Sequence, residues 1–206
     1  NPVLTISSTS VSTASPISAP NLSFDDEREA GFYEGVTFVV GEGSEATFTV
    51  QEQLARLTLP NDAVMRTTAL SGEIHLDSRA SVVKIDLHKL TSDQGFRDRY
   101  VRNRMFGGNR FGTFTLVDIL EPPEAFVKGE VATISVTGKL EIIGVELPLT
   151  LDVEARDDGR VINILGRTTF TWEEFKIPVP RARSVISVED EVRVEVLLVA
   201  RPLLVP

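Results

Sequence analysis

From Val36 onward apolar and polar positions alternate with a period of two, the pattern of strands that turn one face to a core. Within 72–88, Ile74, Leu76, Val83, Ile85 and Leu87 alternate with Glu73, His75, Asp77, Lys84 and Asp86, and 78–81 reads as the turn between two runs. Pairing them with 77 opposite 82, 75 opposite 84 and 73 opposite 86 gathers the aliphatic residues on one face. This register predicts an antiparallel hairpin with Glu73, His75, Lys84 and Asp86 facing out.

The same signature recurs along the chain. Ile134, Val136, Leu140 and Ile142 alternate with polar residues, Gly144 marks a turn, and Leu147, Leu149, Leu151 and Val153 alternate in turn. Asp157-Asp158-Gly159 is the next turn, before a strand over 161–170. A closing strand covers Val192, Val194, Val196 and Leu198; earlier ones cover 36–40, 45–51 and 113–120. About eight strands joined in sequence predict an all-β domain, either an up-and-down barrel or a sandwich.

Two segments break the rhythm. Residues 92–110 lack alternation and carry Phe96, Tyr100, Met105 and Phe106 among five arginines, which predicts a short helix near 94–105. Residues 1–20 hold twelve Ser, Thr or Pro and no charge, and Asn21-Leu22-Ser23 fits a glycosylation sequon. The division is therefore a disordered Ser/Thr/Pro-rich spacer over 1–30 and a domain over 31–206. The spacer suits a linker downstream of an export signal or anchor, and an exported, periplasmic or cell-surface domain is the expectation.

Composition narrows the chemistry. With 30 acidic against 21 basic residues the net charge is −9, which disfavours nucleic-acid binding. The absence of cysteine removes disulfides, thiolate metal sites and cysteine nucleophiles. His75 and His88, the only histidines, stand about 13 Å apart on the expected hairpin at roughly 3.3 Å per residue, too far to share a metal ion. No Gly-x-Ser-x-Gly elbow accompanies them. Gly41-Glu42-Gly43 and Gly107-Gly108 have no strand-to-helix context for a phosphate loop. No catalytic residue, metal or cofactor is expected.

Four segments resemble the YceI family of lipocalin-like polyisoprenoid-binding proteins. They are ATFTVQEQLARLTLPND at 46–62; SGEIHLD at 71–77 with KIDLHKLTSDQGFRDRYVRNRMF at 84–106, including the Arg97-Asp98 dipeptide; VTGKLEIIGVELPLTLDVEA at 136–155; and the closing stretch at 170–200. The chain departs from the family at 107–112, where glycines replace a proline, at Lys176, where a glycine is common, and at Gln51, where a histidine is frequent. The resemblance implies an extended eight-stranded antiparallel barrel with one short helical insertion and a tubular interior. It further implies a long isoprenoid ligand, of quinone or polyprenyl phosphate type.

On that reading the tube is lined by Phe48, Val50, Ile74, Leu76, Val83, Ile85 and Phe114, then by Leu116, Ile134, Val136, Leu149, Leu151, Ile162 and Val194. The alternative is that these side chains fill the barrel, leaving a surface interaction module whose loops do the work. Five arginines against Asp98 make a local +4 over 97–110. Arg97, Asp98, Tyr100 and Arg102 are thus candidates to hold a polar head, and the cluster also suits contact with a membrane surface. Against this stands a solvated helix whose arginines pair with neighbouring carboxylates. Trp172 reads as a plug at one barrel end. A dimer is left open.

Overall fold

The computed structural model describes residues 32–116, 121–180 and 185–203. The spacer, the sequon and residues 117–120 of the expected 113–120 strand lie outside them. The strands are β1 (Phe38–Val40), β2 (Glu45–Leu54), β3 (Asn61–Thr67), β4 (Leu70–Ile74), β5 (Ser81–Asp86), β6 (Phe111–Leu116), β7 (Ala132–Ile142), β8 (Val145–Asp157), β9 (Ile162–Thr171), β10 (Val185–Val188) and β11 (Glu191–Pro202). Two short helices, α1 (Gly95–Tyr100) and α2 (Glu124–Val127), lie in connections.

Hydrogen bonding runs β1-β4-β5-β6-β7-β8-β9-β11 and closes where β1 pairs with β11, giving an eight-stranded antiparallel barrel. Three of its walls are long strands with a break. β2 continues β1 along β11, β3 continues β4 along β2, and β10 precedes β11 along β2. At the first break Gly43 takes φ +96°, and the buried Ser44 hydroxyl accepts from the Val199 N–H at 2.9 Å. The bent strand thereby stays stitched to its neighbour. Closure pairs each of the eight ring strands on both sides, whereas β3 and β10, which extend past the ring, ladder with β2 alone.

The β7–β8 hairpin is the most regular. Ile142 faces Val145 across Ile143 and Gly144, both at positive φ (53° and 71°). Such a two-residue turn matches the right-handed twist of the strands. Alternation then carries Ala132, Val136, Leu140, Val153 and Ala155 into the buried interior, while Thr133, Glu141 and Glu154 stay outside.

The β4–β5 hairpin corrects the expected register. Leu70 faces Ile85 and Glu73 faces Val82, so β4 has slid along β5 relative to the 75–84 pairing. The connection is six residues long, because Asp77 folds it back. Asp77 accepts from the Arg79 side chain and from the Gly35 N–H, and Arg79 reaches the Val36 carbonyl at 2.7 Å. The slide is even, so the apolar face keeps its direction. Two residues expected on the outer face are not exposed there. Asp86 is 4% exposed: its Oδ1 caps the 3₁₀ turn Leu87–Lys89 by accepting from the His88 N–H, and its Oδ2 accepts two N–H bonds from Arg110. The His75 side chain is 9% exposed; its Nδ1 donates to the Ala80 carbonyl and its Nε2 faces the Thr37 hydroxyl. β3, β10 and α2 lie outside the elements the alternation predicts. In β3 burial alternates from Ala63 to Thr67 but polarity does not, since Ala63, Val64 and Met65 are all apolar, and α2 is one turn.

Candidate functional site

The interior encloses two apolar compartments. The inner one, about 170 Å³, runs through the barrel toward α2 and ends at Pro122, Pro123 and Phe126. The outer one, about 650 Å³, opens between α1, the end of β2 and β10. They share Phe48, Leu87, Ile142 and Phe170, so these four side chains stand at the boundary where the compartments adjoin. Polar groups in the inner wall are few: His75, Ser81, Glu121 and Thr168.

Of the residues singled out for the lining, Ile74, Leu76, Val83, Ile85, Phe114, Leu116, Ile134, Val136, Leu149, Leu151 and Val194 face the inner compartment. Val50 faces the outer one and Phe48 stands between them. Ile162 faces neither. It is fully buried, paired with Asp157 and Ala200, and belongs to the packed barrel end. Phe48, Phe114, Ile134, Leu149, Leu151 and Ile164 point inward yet are only half-buried. An inward side chain that keeps exposed surface borders open volume, because protein interiors otherwise pack to the density of organic crystals.

Gly138 sets the width at mid-barrel. A Cβ there would stand 2.4 Å from the Phe114 ring and 2.7 Å from the Thr115 carbonyl, so only glycine lets that ring lie flat across β7. At the outer end Phe170 packs edge-on against Trp172 and Phe175. Trp172 walls the outer compartment beside Ile177, and its buried Nε1–H has no hydrogen-bond partner among the described residues.

The helical insertion folds over this end. α1 continues into a π turn at Val101–Met105, in which the Phe106 N–H bonds to the Val101 carbonyl. Val101 and Phe106 are buried, pinning the segment, and Phe96, Arg97, Tyr100 and Met105 border the outer compartment. Of the head-group candidates, Arg97 and Tyr100 therefore reach the cavity. Asp98 does not: its carboxylate accepts from the Ser92 N–H and hydroxyl, anchoring the helix start. Arg102 is exposed and lines neither compartment.

The charge on Arg97 is already balanced. It donates to Glu52 Oε1 at 2.6 Å and to Asp93 Oδ1 at 2.7 Å. Glu52 is 6% exposed and sits in the cavity wall. Sequence reasoning missed Glu52, because a glutamate in an alternating strand reads as an outer-face residue. His75 and His88 stand at opposite ends of β5, in the β4–β5 loop and in the 3₁₀ turn.

A family model described as a YceI-like domain matches residues 37–200. The structure is similar to that of a polyisoprenoid-binding domain from Saccharophagus degradans implicated in plant cell wall breakdown. That match has 16% identity and a TM-score of 0.64, and covers 81% of this chain and 98% of that one. It is also similar to BcnA of Burkholderia cenocepacia, with 17% identity, TM-score 0.54 and 76% and 95% of the two chains covered. The Campylobacter jejuni YceI protein aligns at 18% identity and TM-score 0.53 over 74% and 91%. No curated protein matches the chain in sequence.

Proposed function

Because this chain belongs to the YceI-like domain family, we propose that its barrel binds one long isoprenoid lipid lengthwise, without catalysis, for carriage, storage or stress response. The fold supports lipid binding in general. The observation that carries the reading is the set of inward, half-buried side chains around two adjoining apolar compartments. Such a wall offers dispersion contacts and excludes water, but makes few hydrogen bonds. Burial contributes about 0.8 kcal/mol per methylene before ordering costs, so a prenyl tail needs little polar recognition. β8 alone, 13 residues, extends about 43 Å at roughly 3.3 Å per residue, which suits a long ligand.

The head rests in the outer compartment beside α1. The wall at Arg97 suits a neutral head of quinone type better than a phosphate, while Arg56 on the same border is in no ion pair among the described residues. Arg97 is neutralised by Glu52 and Asp93, so an entering phosphate would meet the buried Glu52 carboxylate as well as the guanidinium. The Ser/Thr/Pro bias of the N-terminal spacer supports an exported domain, and the arginines of the insertion support contact with a membrane surface.

Organic extraction of natively purified protein, followed by mass spectrometry, tests the reading. A stoichiometric prenyl quinone is the expected result. Protein that emerges empty and takes up no prenyl lipid in detergent-free solution would overturn it, in favour of a barrel whose loops bind a partner.

A further inference from the structure

We propose that the lip of the outer compartment docks on an anionic lipid bilayer, with Leu59, Phe96 and Ile186 entering the interface and Arg99, Arg102 and Arg104 meeting the head groups. The inference deepens the lipid-binding reading by naming the surface from which the ligand enters.

Most exposed large apolar side chains of the described residues are scattered, but the three most exposed are not. Phe96 (79%), Leu59 (75%) and Ile186 (68%) all lie at the open end of the tube. Phe96 itself borders the outer compartment. Leu59 is in the β2–β3 connection, which begins with Ala55 and Arg56 of that same border, and Leu57 beside it is 44% exposed. Ile186 follows Val185, which faces Leu54 across the β10–β2 ladder. Arg97 ties α1 to Glu52 on β2, holding Phe96 over the same side of the mouth. Apolar side chains concentrated at the mouth of an apolar cavity mark a contact surface rather than chance exposure.

Charge selects the occupant. Arg99 stacks on Phe96 at 4.8 Å, and Arg56, Arg99, Arg102 and Arg104 are in no ion pair among the described residues. The carboxylates of the insertion are committed, Asp93 to Arg97 and Asp98 to Ser92, as is Asp86 at the end of β5 to Arg110. Glu173 and Glu174 stand in the turn between the lining residues Trp172 and Ile177, and Glu189 follows β10, so the acidic residues of the lip gather on the β9–β10 side and the unpaired arginines on the insertion and the β2–β3 connection. In a chain of net charge −9, an anionic surface repels the body and attracts this lip. At physiological salt, charges more than about 8 Å from the surface are screened, so the contact zone decides. Aromatic and aliphatic side chains interleaved with arginine are the composition of interfacial membrane anchors. A tail could then slide between bilayer and tube without crossing water.

The test is co-sedimentation of the full chain with vesicles of phosphatidylcholine, with and without phosphatidylglycerol. The wild type should bind the anionic vesicles, and binding should weaken at least tenfold without phosphatidylglycerol or in high salt. Leu59→Glu with Ile186→Glu, two exposed sites outside the cavity wall, should weaken it at least tenfold. Arg99→Gln, Arg102→Gln and Arg104→Gln together should remove the salt dependence. Because the chain has no cysteine, a Leu59→Cys variant takes a single environment-sensitive fluorophore, which should brighten and shift blue on docking. Uptake of a prenyl quinone from cyclodextrin, with no vesicle present, is measured in parallel; its loss speaks against lipid binding, whereas lost sedimentation speaks against docking. Absent sedimentation, or unchanged sedimentation of the glutamate variant, overturns the proposal. So does a wild-type dimer that this variant dissolves while neither form binds vesicles, because the patch would then be a self-association surface.

Discussion

Arg97 on α1 and Glu52 on β2 meet at 2.6 Å across 45 residues of sequence, one 18% and the other 6% exposed in the side chain. The pair fastens the insertion to the barrel wall and leaves the cavity mouth without a free cation at that position. Removing one partner strands the other in an apolar wall. Arg97→Met should cost about 3 kcal/mol in urea unfolding. Arg97→Met with Glu52→Met should cost less than the sum of the single changes, and an additive cycle would show that the pair is not coupled.

Leu149 and Ile85 face each other's space through the inner compartment. Leu149→Trp or Ile85→Trp should fill that volume and reduce co-purified lipid at least tenfold while the circular dichroism spectrum stays unchanged. Undiminished lipid in mass spectrometry would place the tail elsewhere.

Gly138→Ala should destabilise the barrel by about 2 kcal/mol, since the new methyl meets the Phe114 ring and a backbone carbonyl that cannot both move away. Chemical denaturation measures it, and Gly138→Ala with Phe114→Leu should recover part of the loss.

Lys176 has φ +55° and is exposed, in the turn where its N–H bonds to the Glu173 carbonyl. A side chain in the left-handed region costs roughly 1 kcal/mol. Lys176→Gly should therefore raise stability by up to about 1 kcal/mol, the extra unfolded-state freedom of glycine offsetting part of the gain. A lower thermal midpoint would contradict this.

Acid stability follows from two clasped carboxyls. The Arg79 side chain, then its backbone N–H, holds Asp77 well below the usual carboxylate range. Burial pushes Asp86 up, but the hydrogen bonds from Arg110 and from the His88 N–H outweigh it and leave Asp86 lowered. Both groups thus bind protons less readily folded than unfolded. Their contribution is full above the unfolded value near 4 and is lost as pH falls through the folded values. The urea midpoint should decline from about pH 5 downward, and Asp77→Asn should flatten that decline.

Strand faces were legible in the chain because alternation is local: successive side chains of a strand must point to opposite sides, whatever the partner. The pattern over 134–153 therefore identified the inner wall of β7 and β8, and in 72–88 it named the inward residues even where the pairing had slid by an even step. The resemblance in four ordered segments carried the barrel itself. The register of β4 on β5 was not legible, because Asp77, Arg79, Gly35 and Val36 decide it through bonds across more than forty residues. The burial of His75, Asp86 and Glu52 was hidden for the same reason: each depends on a partner supplied by another element. The compartments' volume, their boundary at Phe48, Leu87, Ile142 and Phe170, and the apolar lip of Leu59, Phe96 and Ile186 exist only once closure brings distant strands around one axis. Sequence determined which side of each strand is apolar; tertiary structure decided where those sides meet, how much space they leave, and which charges are already paired.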